Sequence, residues 1–167
     1  MRTTDTLWST IVGDGLENYL INNKVKLEVI EKSKQEISNS TEKLFLYYDE
    51  AETIEEVKVP VQKIVGVSRV QGYSWFDILH NTLRGSTDIN MDQQRFLKQL
   101  SLLEDKGMIG LQEIYNNTRN IHFLGLRRDN EIQYFQIVDG NHRTVMSKIL
   151  NLDFIHGSEV IYYDFNE

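Results

Sequence analysis

The stretch QYFQIVDGNHRTVMSKILNLDF, Gln133–Phe154, constrains the fold more than any other part of the chain. An aromatic and aliphatic run stops at Val138. After Asp139-Gly140-Asn141-His142-Arg143 the apolar residues return at Val145, Met146, Ile149 and Leu150, which is helical spacing. Just upstream, IHFLGLRR (121–128) and IQYFQIV (132–138) flank Asp129-Asn130, a hairpin turn signal. The segment predicts strand, tight turn, strand, sharp junction and helix. SEVIYYD (158–164) predicts a closing strand.

The rest of the chain alternates less cleanly. Between Asp5 and Asn23, residues Leu7, Trp8, Ile11, Val12, Leu16, Tyr19 and Leu20 have helical spacing, with Asp5 as N-cap and a break at Gly13 or Gly15. Val25, Leu27 and Val29 alternate with Lys26 and Glu28, which predicts a strand. EKSKQEISNSTEK (31–43) predicts a polar loop. LFLYYDE (44–50) and VKVPVQKI (57–64) predict strands, with acidic YYDEAETIEE forming a solvated face and a hairpin turn. Pro60, the one proline, places its strand at an edge or a bulge. Gly66–Ile89 is irregular, with a short helix around Trp75, Phe76, Ile78 and Leu79. Those two aromatic rings suit core packing better than base stacking. Asn90 is the expected N-cap of the next helix, with Gln93 in the capping-box position. Phe96, Leu97, Leu100 and Leu103 form its stripe, and Gly107 its C-cap. The expected fold is α+β, a small mixed sheet with helices. A soft boundary near residue 56 separates an N-terminal helix–strand extension (1–56) from the main domain (57–167).

Composition removes several function classes. With 167 residues and 40% hydrophobic side chains, the chain can build a core. It has no cysteine, which excludes disulfides, thiolate metal sites and cysteine nucleophiles. A formal net charge of -7 argues against coating nucleic acid through the whole surface. The N-terminal residues MRTTDTLWSTIVGDG have no long apolar core and no apolar run spans a bilayer, so a cytoplasmic location and no membrane partner are expected. His80, His122 and His156 are isolated in sequence, so no dedicated zinc site is expected.

The junction carries the chemistry. A helix that begins near Asn141 presents N–H groups without intrahelical partners and a partial positive charge, which together favour anions. Gly140 lets the backbone turn sharply and lets a ligand approach. Arg143, in the first turn, has a fork that matches two phosphate oxygens. His142 can donate to phosphate or shuttle a proton near neutral pH. Asp139 can hold a metal ion, orient His142 or cap the helix. The same letters also suit an ordinary Asp-Gly turn with Asp139 as cap and His142 and Arg143 solvated.

In element order and motif, residues 57–164 resemble the ParB N-terminal domain and sulfiredoxin superfamily. The matching pieces are VKVPVQKI, the helix ending LLEDKGMIGLQEI, the hairpin IHFLGLRR-DN-EIQYFQIV, the turn DGNHRTVMSKILNL and the strand SEVIYYD. DGNHR is close to the Asp-Gly-x-His-Arg turn of ParB-like serine kinases. It is similar to the Gly-Cys-His-Arg turn of sulfiredoxins and the Asp-Gly-Gln-Gln-Arg turn of ParB-like defence nucleases. The resemblance implies a nucleotide (ATP, ADP or CTP) with Mg²⁺. It implies phosphate contacts from Gly140, Asn141, His142, Arg143 and Thr144, joined by Arg69 and Gln71 of IVGVSRVQG (64–72). Asp139 would hold the metal, and Asp139 and His142 would act as catalytic groups.

Two departures bear on the chemistry that the resemblance implies. Asn141 stands where sulfiredoxins carry cysteine, and IVGVSRVQG offers Ser68 and Arg69 where the serine kinases carry a glutamate base. The resemblance therefore implies an NTPase or phosphotransferase. The alternatives are a non-enzymatic, plasmid- or phage-borne regulator that engages a protein partner, and a DNA-binding or nuclease protein. ParB-type DNA binding is not expected, because the chain ends soon after the last strand.

Overall fold

The computed structural model describes residues 3–42 and 44–166, the side chains of 13 and 14 apart. Residues 1, 2, 43 and 167, at the ends of the two predicted parts and of the predicted polar loop, lie outside the described residues. Two helices open the chain, α1 (Thr4–Asp14) and α2 (Leu16–Asn22), separated at Gly15, whose φ is 84°. The N-cap is Thr3 rather than Asp5: its side chain accepts from the Thr6 N–H.

The segment predicted as a strand at Val25–Val29 is instead the start of α3 (Leu27–Gln35). Its alternation is a coincidence of one helix turn. Leu27 is 53% exposed, whereas Ile30 and Ser33, three apart, are buried on the inner face. The Leu, Glu, Lys and Gln residues around them favour helix over strand.

A 3₁₀ turn at Leu44–Tyr47 then leads into β1 (Tyr48–Pro60). The acidic stretch predicted to turn is one continuous strand, paired antiparallel with β5 (Phe154–Phe165). The register slips once, between Glu50 and Glu52, and Glu56 holds a φ of 56°. These irregularities bend the ribbon without breaking it. β1 lies at the sheet edge and Pro60 ends it, so the missing N–H is harmless. Residue 56, the expected boundary, falls inside this strand.

β2 (Ile64–Val67), α4 (Trp75–Leu83), α5 (Gln93–Asn117), β3 (His122–Arg128), β4 (Glu131–Val138) and α6 (Asn141–Leu150) complete the order before β5. Asp92, not Asn90, caps α5; its side chain accepts from the Arg95 N–H. Gly107 breaks α5 into two helical runs, with φ 70° and ψ 179°. The β3–β4 turn is Asp129-Asn130, with φ of 52° and 66°, the left-handed pair that a two-residue hairpin requires.

The result is an α+β fold with a five-stranded mixed sheet in the order β1-β5-β3-β4-β2. β5 runs parallel to β3, and β2 runs parallel to β4. One hydrophobic cluster runs from Leu7 and Leu20 through Trp75, Phe96 and Leu111 to Phe123, Val145 and Tyr162, and so takes in residues on both sides of residue 56. Trp75 and Phe76 are buried in it, 1% and 7% exposed. The other sheet face carries a smaller cluster around Leu124, Leu126 and Phe135. Among the described residues no helix is long and apolar enough to cross a membrane.

Candidate anion site at the β4–α6 junction

Parallel strands bring their carboxyl ends to one edge of a sheet, where ligands of α/β proteins commonly settle. Here Val67 at the end of β2 pairs with Gln136 near the end of β4. Two loops therefore emerge together: Ser68–Ser74 leading to α4, and Asp139-Gly140 leading to α6. Gln136, 1% exposed, bolts them to each other. Its Oε1 accepts from the Ser68 N–H at 3.1 Å, and its Nε2 donates to the Asp139 carbonyl at 2.6 Å. No sequence pattern marks Gln136, because its neighbours Tyr134 and Phe135 read as an ordinary strand.

Asp139 and Gly140 both adopt left-handed backbone, with φ of 53° and 73°. This pair turns the chain from strand to helix in two residues. Gly140 is the N-cap of α6 and offers no side-chain oxygen to the first-turn N–H groups, so that end of the helix keeps its partial positive charge. The sharp turn is as expected for this glycine, but the open approach for a ligand is not. A Cβ at Gly140 would lie 2.3 Å from Ile121 Cγ1, so the space beside it is packed protein, not room for a ligand.

The predicted site residues divide sharply. Thr144 is fully buried, and its hydroxyl donates to the Gly140 carbonyl at 2.8 Å. It holds the turn and faces no ligand. Gln71 donates its amide to the Val67 and Ser68 carbonyls, at 2.9 and 2.8 Å. It staples its own loop and, with Ser68, Gln136, Asn39 and Thr41, lines a cleft of about 220 Å³.

His142 is 6% exposed and its Nε2 accepts from the Asp92 N–H at 2.9 Å. Nδ1 therefore carries the proton. The ring stands edge-on to Phe96, centroids 4.7 Å apart. Burial, and then the charges of Arg95 and Arg69, push its pKa down to about 4; Asp92 opposes them. At neutral pH His142 is an uncharged latch between α6 and the start of α5, which is a structural duty and not the proton shuttling that its position in the motif predicts.

Asp139 is exposed, at the rim, and Arg143 is half-buried. The Arg143 guanidinium donates from Nη1 to the Arg119 carbonyl at 3.2 Å, and burial lowers its pKa, with Tyr115 and Asp139 opposing. Arg119 in turn pairs with Glu56, which also meets His156. Asn141 is 5% exposed and its Oδ1 has no hydrogen-bond partner among the described residues. An unpaired buried acceptor of this kind costs about 1–3 kcal/mol.

One basic residue, Arg95, escaped the sequence reading, whereas Arg69 was expected there. Arg95 projects from the first turn of α5, and with Arg69 it acts electrostatically on His142. Neither has an ion-pair partner among the described residues, and both are exposed. Placing the α5 cap two residues early, at Asn90, hid Arg95 from the site. Arg143 thus stands in the first turn of the uncapped α6, and Arg69 and Arg95 act on its neighbour His142, in a chain of net charge -7.

No protein-family model matches this chain, and no curated protein does.

Among the described residues no group of three or more His, Asp or Glu side chains is placed to hold a metal. Asp139 is the one predicted ligand. Mg²⁺ keeps most of its waters and usually binds through one or two carboxylates plus phosphate oxygens. A single exposed carboxylate beside an uncapped helix start fits that demand, where the remaining ligands would come from phosphate oxygens and water.

Proposed function

We propose that the chain is a ParB/sulfiredoxin-like module that binds a nucleoside di- or triphosphate at the β4–α6 junction. The observation that carries this reading is a helix start that no side chain caps, with Arg143 in its first turn and Arg69 and Arg95 acting on the neighbouring His142. The first-turn N–H groups would receive phosphate oxygens, and the guanidinium groups would neutralise the charge. Asp139 would hold Mg²⁺ brought in with the phosphates.

Binding is favoured over turnover. The lone pair of His142 Nε2 is already committed to the Asp92 N–H, which leaves the junction without a histidine base. Hydrolysis or phosphoryl transfer is the second reading, and the exposed Asp139 carboxylate beside Arg143 supports it. A role on DNA is disfavoured by the acidic β1 edge and the net charge of -7.

Isothermal calorimetry with ATP, ADP and CTP, with and without Mg²⁺, tests the proposal. At least one nucleotide is expected to bind. Arg143→Ala should weaken it by about tenfold or more, the usual scale of a charge-assisted contact. The Arg69→Ala/Arg95→Ala pair should weaken it and flatten its salt dependence. Phosphate release should stay at the blank rate; turnover lost in Asp139→Asn would instead establish the second reading. No binding of any nucleotide by the wild type would overturn both.

A further inference from the structure

A second cavity, remote from the β4–α6 junction in sequence, lies between α1 and α4 and encloses about 220 Å³. Its walls are apolar: Trp8, Ile11 and Leu16 from the N-terminal helices and Leu83 from the end of α4. This volume is below the roughly 300 Å³ at which drug-sized sites begin, so it suits a small ligand.

The rim is polar on one side only. Arg84, exposed at the C-cap of α4, donates from Nε to His80 Nε2 at 3.0 Å. Because a guanidinium only donates, that nitrogen of His80 must accept, and the proton sits on Nδ1, 3.3 Å from Asn81 Oδ1. His80 is itself stacked on Phe76, centroids 5.8 Å apart and planes 17° from parallel. Arg84 is thereby held by a ring that is itself packed in place. Its two terminal NH₂ groups have no carboxylate partner among the described residues, although Asp and Glu outnumber Lys and Arg, 25 to 18, in this chain. An oriented guanidinium without a carboxylate, at the mouth of an apolar cavity, matches a ligand with an apolar body and one carboxylate head.

We propose that the cavity between α1 and α4 is a binding site for a small apolar monocarboxylate, with the chain or ring against Trp8, Ile11, Leu16 and Leu83 and the carboxylate on Arg84. His80 is a positioning residue that fixes the Arg84 fork. The site is independent of the nucleotide reading and shares no residue with it.

Octanoate is the probe, with octan-1-ol as the control that keeps the chain and lacks the charge. In calorimetry, octanoate should bind saturably and more tightly than octanol by about tenfold. In ¹H–¹⁵N spectra it should shift the indole N–H of Trp8 and leave that of Trp75, buried in the core, unmoved. Arg84→Gln should weaken octanoate by about tenfold and leave octanol unchanged; Arg84 is exposed, and circular dichroism verifies that the variant is folded. Arg84→Lys should keep part of the preference for the acid. Absence of saturable octanoate binding would overturn the proposal, and so would equal affinity for octanoate in the wild type and Arg84→Gln.

Discussion

Gly140→Ala is expected to lower stability by about 2–4 kcal/mol, a fall of roughly 5–15 °C in Tm for a chain of this length. Two costs add. The residue sits at φ 73°, where an L side chain is strained by about 1 kcal/mol or more. The new methyl also lands 2.3 Å from Ile121 Cγ1 and 2.6 Å from Ile121 Cδ1, so the β3 approach must move. Thermal unfolding followed by circular dichroism measures the total. Gly140→Ala with Ile121→Val should recover part of the loss, because the shorter side chain relieves the clash while the φ cost stays. A double-mutant cycle reads that coupling directly. Equal losses in the two backgrounds would assign the whole effect to backbone strain.

The second large effect belongs to His142. At pH 7, His142→Ala should cost about 2–4 kcal/mol, since it strands the Asp92 N–H and removes a ring packed on Phe96. Its titration adds a pH dependence of known sign. The folded chain holds this imidazole at a pKa of about 4, whereas the unfolded chain has the ordinary value near 6.5. Between those values the unfolded state takes up a proton that the native state refuses. Stability from this group is therefore complete above about pH 6.5 and is lost as pH falls toward 4, by about 3 kcal/mol in all. Urea unfolding at pH 7, 5.5 and 4.5 measures the slope. His142→Gln, which cannot titrate, should flatten it across this window, while groups common to both proteins cancel. An identical slope in the two proteins would mean that His142 is accessible to solvent and protons in the folded state.

The second half of the chain was legible because local signals and tertiary demands coincide there. Asp129-Asn130 is a left-handed turn pair by residue type, and Gly140 is the residue a two-step strand-to-helix turn needs. The first half was not. Val25–Val29 alternates like a strand, yet the apolar contact that decides it is Ile30, outside the alternating run. The acidic run 48–56 looks like a turn by composition. Long-range pairing with Tyr162, Tyr163 and Phe165 of β5 makes it a strand, and no local pattern records such a partner. The site was half legible for the same reason. The helix start and Arg143 could be placed from the motif. The burial of His142 depends on Asp92 and Phe96 arriving from about fifty residues away, and with them comes Arg95.

In the proposed function, phosphate groups sit on the first turn of α6. Backbone ¹H–¹⁵N shifts of the protein titrated with ADP and Mg²⁺ test it at the atoms concerned. Saturable shifts are expected, concentrated at the amides of Asn141, His142 and Arg143 and at Arg69 and Arg95, and weakened in Arg143→Ala. Saturable shifts confined to another surface, with the α6 amides unmoved, would contradict it.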